Sequence, residues 1–251
     1  MSAEVEQPEN DVRERAGLAG DVQQPSLWHA TLAVFRKDLR SELRSRYAVN
    51  ALLLFATNSV VVQSLVLGLL LPSRNADLSL IYAALLWITV LFAAFTGLAR
   101  AFVQEEEART AAALRLAAPP LAVYGGKLLF NLLLLLLLDV VVTVLFVVLL
   151  RVQIGNLGLF LALLLAGSVG LVAATTLVAA MIARAGAKGA LFAVLSFPLL
   201  VPLLVVAVQS TARALDGVGW DEGLRPLVTL LSFATVQFVA SLFLFPTVWE
   251  A

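Results

Sequence analysis

The chain has no cysteine, and its 251 residues include a single histidine, His29. The first absence excludes disulfides, thiolate metal sites and cysteine nucleophiles. The second removes any histidine pair for a metal, and no carboxylate set with metal-ligand spacing takes its place, so no metal site is expected. Charge is scarce as well: 14% of residues are charged, against about 25% in an ordinary soluble domain. The 17 basic and 17 acidic residues cancel, which leaves no electrostatic case for nucleic acid. A phosphate-cradling loop is also missing. Gly125-Gly126-Lys127 and Gly186-Ala187-Lys188-Gly189 lack the leading glycine and the Ser or Thr after lysine that such a loop needs. Both read as flexible, basic cytoplasmic helix ends. The chain is therefore not expected to be an enzyme or to hydrolyse nucleotide itself.

What it does have is apolar sequence. Hydrophobic residues make up 61% and the mean hydropathy is +0.96, as in a polytopic membrane protein. A helix needs about 20 mostly apolar residues to cross the hydrocarbon core. Six stretches qualify, at about 49–71, 78–99, 128–150, 157–183, 189–212 and 224–248. The fourth is long enough to tilt or to end in the interface. Lys and Arg alternate in density between the connections. Arg36, Lys37, Arg40, Arg44, Arg46, Arg100, Arg109, Arg115, Lys127, Arg184 and Lys188 fall on one side; Arg74, Arg151, Arg213 and Arg225 fall on the other. This eleven-to-four bias predicts that both termini are cytoplasmic.

Residues 1–25 are polar and mixed in charge, without the apolar core and small-residue cleavage site of a signal peptide; they read as a disordered cytoplasmic tail. Over 26–47, Trp28, Leu32, Phe35, Leu39 and Leu43 recur at helical spacing with Arg36, Lys37, Arg40 and Arg44 off the stripe, which predicts an in-plane interfacial helix. Residues 48–251 then form the six-helix transmembrane domain. The expected fold is all-α: six transmembrane helices, an N-terminal in-plane amphipathic helix and a cytoplasmic coupling helix.

That coupling helix falls in the charged segment 100–120. Glu105, Glu106 and Glu107 open it, where carboxylates favour the positive end of the helix dipole. The stretch 108–117 is rich in strong helix formers, and Arg109 and Arg115 interrupt an apolar surface of Ala111, Leu114 and Leu116. Pro119-Pro120 ends it, and Gly125-Gly126 is expected to loosen the start of the third span. The result is a short lever tied to two membrane helices, or a passive interfacial connector.

Within the membrane, Asp139 lies near the middle of the third span. A carboxylate there costs at least ~2.5–3.5 kcal/mol on insertion scales, so it should face other helices or water. Asn58, Gln63, Ser168, Thr175 and Thr176 are its candidate partners, and its role is either a subunit contact or transport site, or a structural hydrogen bond. The first span is polar, with Asn58 and Gln63 expected to turn toward another subunit. Gly167, Gly170 and Ala174 permit close helix approach in the fourth span. Pro198 and Pro202 in the fifth predict a kink. Trp220 reads as a headgroup-level anchor.

An acidic cluster, a short helix with paired leucines, proline, and Gly-Lys opening a span together resemble the coupling segment of type-2 ATP-binding-cassette exporter permeases. More narrowly, FRKDLRSELRSR at 35–46, LLWITVLFAAFTGLARAFVQEEE at 85–107 and SFPLLVPLLVVAVQSTARAL at 196–215 resemble the CcmB family, the haem exporter permeases of cytochrome c maturation. The likeness covers about residues 30–248. One departure is Arg109-Thr110 followed by alanines, where relatives place a glycine and then an acidic residue. The resemblance implies a permease subunit of a bacterial inner membrane, with ATP and Mg bound by a partner ATPase subunit (CcmA). Haem would be handled by partners: a haem-handling membrane subunit (CcmC), a small subunit (CcmD) and a haem chaperone (CcmE), alongside a second permease copy. His29 would be dispensable. The rival readings are a type-2 exporter of a lipid, polysaccharide or drug, a non-transporting membrane scaffold, and an ion-coupled transporter using Asp139.

Overall fold

The computed structural model describes residues 26–70, 78–98, 102, 105, 110–185 and 190–250. The tail 1–25, the connection 71–77, Glu106, Glu107, Arg109 and the Gly186-Ala187-Lys188-Gly189 motif lie outside the described residues. Within them the chain is helical and has no strand. The elements are α1 (Leu27–Ser45), α2 (Tyr47–Leu70), α3 (Leu78–Gly97), α4 (Ala111–Ala117), α5 (Pro120–Leu149), α6 (Leu157–Ala185), α7 (Ala190–Leu215) and α8 (Trp220–Glu250). Six of these, α2, α3 and α5 to α8, are long and apolar enough to span a bilayer, as the apolar runs predict.

The bundle is built around α6. Of its most apolar stretch 67% is buried, against 17% for α2 and for α8, because α6 packs on α5, α7 and α8 while α3 fills the space between α2 and α7. Its composition explains the position. Lipid tails are as apolar as leucine, so helices associate where small residues let backbones approach. A Cβ on Gly167 would sit 2.2 Å from the Trp87 ring of α3, and one on Gly170 would sit 2.3 Å from Leu203 of α7. The Trp87 indole that fills the first notch donates to Thr211 Oγ1 at 3.0 Å, so one buried aromatic joins α3, α6 and α7. Most large side chains on the outside of the bundle are apolar, among them Leu54, Leu65, Val140, Val148, Leu161 and Phe243, as a lipid-facing surface requires.

At the end remote from α1, Gly155 and Asn156 take backbone bonds to Leu215 and Ala214 at 3.0 and 2.9 Å, and Gly217 holds a φ of +85° that disfavours a side chain. Trp220 opens α8 there, half exposed, with its ring 3.2 Å from where a Cβ on Gly158 would lie.

α1 packs on the bundle through a face other than its large apolar stripe. Trp28 and Leu43 on the apolar stripe are 72% and 65% exposed, whereas the small face of Ala30, Thr31 and Val34 is buried against α5. That contact corrects the expectation for Gly125-Gly126. The pair does not loosen a helix start: it lies inside α5, which already begins at Pro120 with proline at the first helical position. A Cβ on Gly126 would meet Val34 Cβ at 2.6 Å and the Thr31 carbonyl at 2.9 Å. Glycine is there because α1 is there. At its other end α1 stops in a left-handed Arg46 (φ 52°), and the buried Glu42 carboxylate accepts the Val49 N–H at 2.9 Å, one of the orphan donors of the first turn of α2.

α7 runs without interruption through Pro198 and Pro202. Both prolines face outward, where the missing donors and ring bulk disturb no neighbouring helix.

Candidate functional site

The end of the bundle that carries α1 and α4 gathers the charged residues, and its centre is a side chain that sequence reasoning misplaced. Lys127 is not a flexible basic helix end. It is 1% exposed, the residue directly after the glycine contact with α1, and its Nζ lies 3.2 Å from Asp38 Oδ2 and 3.3 Å from Glu105 Oε1. Lys37 completes the ring, pairing with Asp38 Oδ1 at 3.2 Å and with Glu105. Two ammoniums and two carboxylates therefore alternate across three segments. Thr110 adds a hydroxyl donated to Glu105 Oε2 at 2.5 Å and a backbone N–H to the Glu105 carbonyl at 3.0 Å. The Phe102 ring stands 5.2 Å from Lys127 Nζ, within cation–π range.

The electrostatics follow from this closure. Burial alone would raise the Glu105 carboxyl, but the Lys127 charge, hydrogen bonds from Lys37 and Thr110 and the Lys37 charge outweigh it and hold the carboxyl down at about 2. Burial likewise works against the Lys37 ammonium, and the bonds and charges of Glu105 and Asp38 overcome it, so its pKa is raised. Glu105 is thus turned into the protein and 8% exposed. It does not sit at a helix start offering charge to a partner, because the buried Lys127 draws it inward.

A second clasp is aromatic. Phe245 and Trp249 of α8 stack at 5.6 Å, Phe102 contacts both at 5.7 and 6.1 Å, and Tyr124 of α5 meets Phe245 at 5.1 Å. Arg115 of α4 lies over the Trp249 ring at 5.0 Å. The paired leucines of α4 split: Leu114 packs into this cluster, while Leu116 is 92% exposed beside the exposed Ala112 and Ala113. The connecting segment is therefore held to α1 and α5 by ions and to α8 by rings, with Leu116 projecting outward.

The intramembrane residues separate into three cases. Asp139 is 3% exposed between α5 and α6 and accepts from Ser168 Oγ at 2.6 Å. It lies on the face of α5 that packs against α6, so its bond is made within the chain. One turn-pair away in the same antiparallel register, Asn131 Nδ2 donates to Thr176 Oγ1 at 3.0 Å. Gln63 is also internal, donating to Thr89 Oγ1 at 2.9 Å across α2 and α3. Asn58 differs: with Thr57 it is exposed on the outside of α2. His29 is exposed, with its Nδ1 2.7 Å from Ser26 Oγ. Among the described residues no group of His, Cys, Asp and Glu could hold a metal ion.

Lys37, Asp38, Phe102, Lys127 and Trp249 escaped sequence reasoning as site residues. The available signals were weak: two acids, Asp38 and Glu42, inside a basic run, and a lysine placed just where an apolar span begins.

The chain matches the family model described as CcmB protein over residues 29–248. No curated protein and no solved structure matches it. With most of its length matched, the chain belongs to the CcmB family.

Proposed function

We propose that this CcmB-family membrane permease of cytochrome c maturation is the force-receiving subunit of a complex driven by a separate ATPase. The observation that carries the reading is the connecting segment: α4 presents Leu116 outward while its neighbours are fastened to α1, α5 and α8 at once. A soluble subunit closing on ATP would push on Leu116, with Glu106, Glu107 and Arg109 of the same connection as further candidates, and the load would pass to three helices together. ATP and Mg belong to that partner in this reading, and the chain has neither a nucleotide site nor an enzymatic step of its own. Both termini and α4 lie in the cytoplasm, as the Lys/Arg bias supports.

The work done is haem delivery to the outer face. ATP energy releases a haem-loaded chaperone from a haem-handling membrane subunit, assisted by a small subunit, and haem itself is held by those partners. His29, exposed and bonded to Ser26, is dispensable. A second copy of the chain contacts the outward face of Thr57 and Asn58, since an unburied amide at bilayer depth is costly against lipid, and α7 shows Pro198, Pro202 and Gln209 outward as well.

Leu116→Asp tests the reading without touching the fold, because the side chain is exposed. A hot-spot loss of about 2 kcal/mol corresponds to roughly 30-fold weaker binding, so ATPase recovery with the membrane complex should fall by that order while the permease stays at wild-type abundance. Wild-type recovery together with normal ATP-dependent chaperone release refutes the proposal.

A further inference from the structure

Arg36, Arg40 and Arg44 recur every fourth residue, so they share one face of α1. All three are exposed, and none makes an ion pair or hydrogen bond with a described residue. They line one side of a crevice of about 1080 Å³ that opens between α1 and α4. The remaining charges that the described residues place around it are paired or turned away. Lys37 and Lys127 neutralise Asp38 and Glu105, and Glu42 is buried and turned to the Val49 N–H. Among the described residues, the four cations of the lining and Lys127 behind it stand against three carboxylates, an excess of two positive charges. The other walls are apolar: Ala113, Leu114 and Ala117 of α4, and then Ala48, Gly97 and Phe130 on three membrane-spanning helices.

We propose that this crevice binds an anionic phospholipid, its phosphate on Arg36, Arg40 and Arg44 and the upper part of an acyl chain against Ala117 and Phe130. Each half of the cavity selects for one half of that molecule. A soluble anion would leave the apolar walls uncovered, and a zwitterionic lipid would bring its own cation to a surface already in positive excess. The volume lies just above the range of about 300–1,000 Å³ for small-molecule pockets, room for a headgroup and part of a chain. The bound lipid would wedge between α1 and α4. The inference does not depend on the ATPase reading, because its readout is lipid occupancy.

The test uses the full chain, purified in mild detergent, stripped of lipid and titrated with phosphatidylglycerol or phosphatidylcholine, with bound lipid counted by native mass spectrometry. The wild type should retain phosphatidylglycerol in preference to phosphatidylcholine. Each arginine removed should weaken that retention by about fivefold, and R36Q/R40Q/R44Q should abolish the preference. R151Q/R213Q/R225Q, with the same charge loss at the opposite end, should keep it. Ala117→Trp fills the apolar wall from an exposed position without changing charge, and it should also expel the lipid even where the arginine variant folds poorly. Retention by the arginine variant or by Ala117→Trp overturns the proposal, as does equal loss in the distal variant. Displacement by glycerol phosphate at the lipid's own affinity assigns a soluble-anion site instead, and an acidic segment of a co-purifying protein found in the crevice assigns a protein interface; either result also overturns it.

Discussion

Replacing Lys127 by methionine tests the ionic clasp directly. The substitution keeps length and most of the apolar contact with Phe102, and removes one charge from a four-membered ring. Asp38 and Glu105 are then left with Lys37, whose side chain is 45% exposed and so well solvated. Glu105 is held from an ordinary 4.5 down to about 2; at about 1.4 kcal/mol for each tenfold change, its carboxylate gains on the order of 3 kcal/mol from its surroundings. Lys127 supplies the largest favourable share. Leaving a buried charge unpaired costs about 3–5 kcal/mol in comparable cases, so a loss of about 3 kcal/mol is expected for Lys127→Met. The assay is unfolding of the detergent-solubilised chain by a denaturing detergent, followed by circular dichroism. Glu105→Gln added to Lys127→Met restores neutrality and should recover at least half of the loss. An unchanged midpoint for Lys127→Met, or a double variant no better than the single, refutes the reasoning. The pH dependence has a definite sign. A depressed carboxyl contributes fully above 4.5 and loses its contribution as pH falls through about 2. A raised ammonium contributes fully below 10.5 and loses its contribution only as pH rises past its elevated value. The clasp should therefore add a constant increment between pH 5 and 10 (roughly the interval that both groups leave untouched), and Lys127→Met should show the same deficit throughout.

Three further outcomes are expected. Gly126→Leu places side-chain atoms where Val34 and the Thr31 carbonyl already stand, at a typical overpacking cost of about 1–3 kcal/mol; α1 should detach, and trypsin should cut at Arg36, Lys37 and Arg40 well before it does in the wild type. Unaltered digestion would show that α1 does not need the glycine. Asp139→Asn keeps an acceptor for Ser168, so assembly and haem delivery should persist with a stability change of less than about 1 kcal/mol; lost delivery from an intact complex would give the carboxyl a chemical role. Trp249→Leu removes the ring under Arg115 while retaining bulk, and should leave the complex assembled but lower chaperone release several-fold; wild-type release would exclude α8 from the load path.

The number of spans was legible because it depends on a one-dimensional quantity, the length of apolar runs measured against a fixed hydrocarbon thickness. Helix identity followed for the same reason, since an open sheet edge has no partner in lipid. Pairing was not legible. Lys127 finds Asp38 at a separation of 89 residues and Glu105 at 22, and nothing periodic links them. The α1 pattern was legible only in part. Trp28, Leu32 and Leu43 mark an amphipathic helix correctly, yet in soluble proteins such a stripe is also the packing face. Here Trp28, Leu32 and Leu43 face out, Phe35 is half-buried, and the inconspicuous Ala30, Thr31 and Val34 pack. Gly125-Gly126 was read as weakness for a similar reason: helix propensity penalises glycine, but close approach of a second helix requires it. Ser168 stood among several candidate partners for Asp139, and only the antiparallel register of α5 and α6 selects it.

The two clasps on the connecting segment differ in kind, and that difference bears on how a push on α4 is divided. α1 and α5 are joined by a glycine contact with no slack and by a buried ionic ring whose members lose much if separated. They should respond as one body. α8 is held through Arg115 over Trp249 and through edge and tilted ring contacts, interactions worth roughly 0.5–2 kcal/mol each that tolerate sliding. A displacement too small to open the ring can therefore still shift α8 against α5, and α8 is also the helix most extensively packed on the central α6. In the proposed reading, force entering at Leu116 would reach the core of the bundle by the compliant path, while the stiff path would keep α1 and the third span in register.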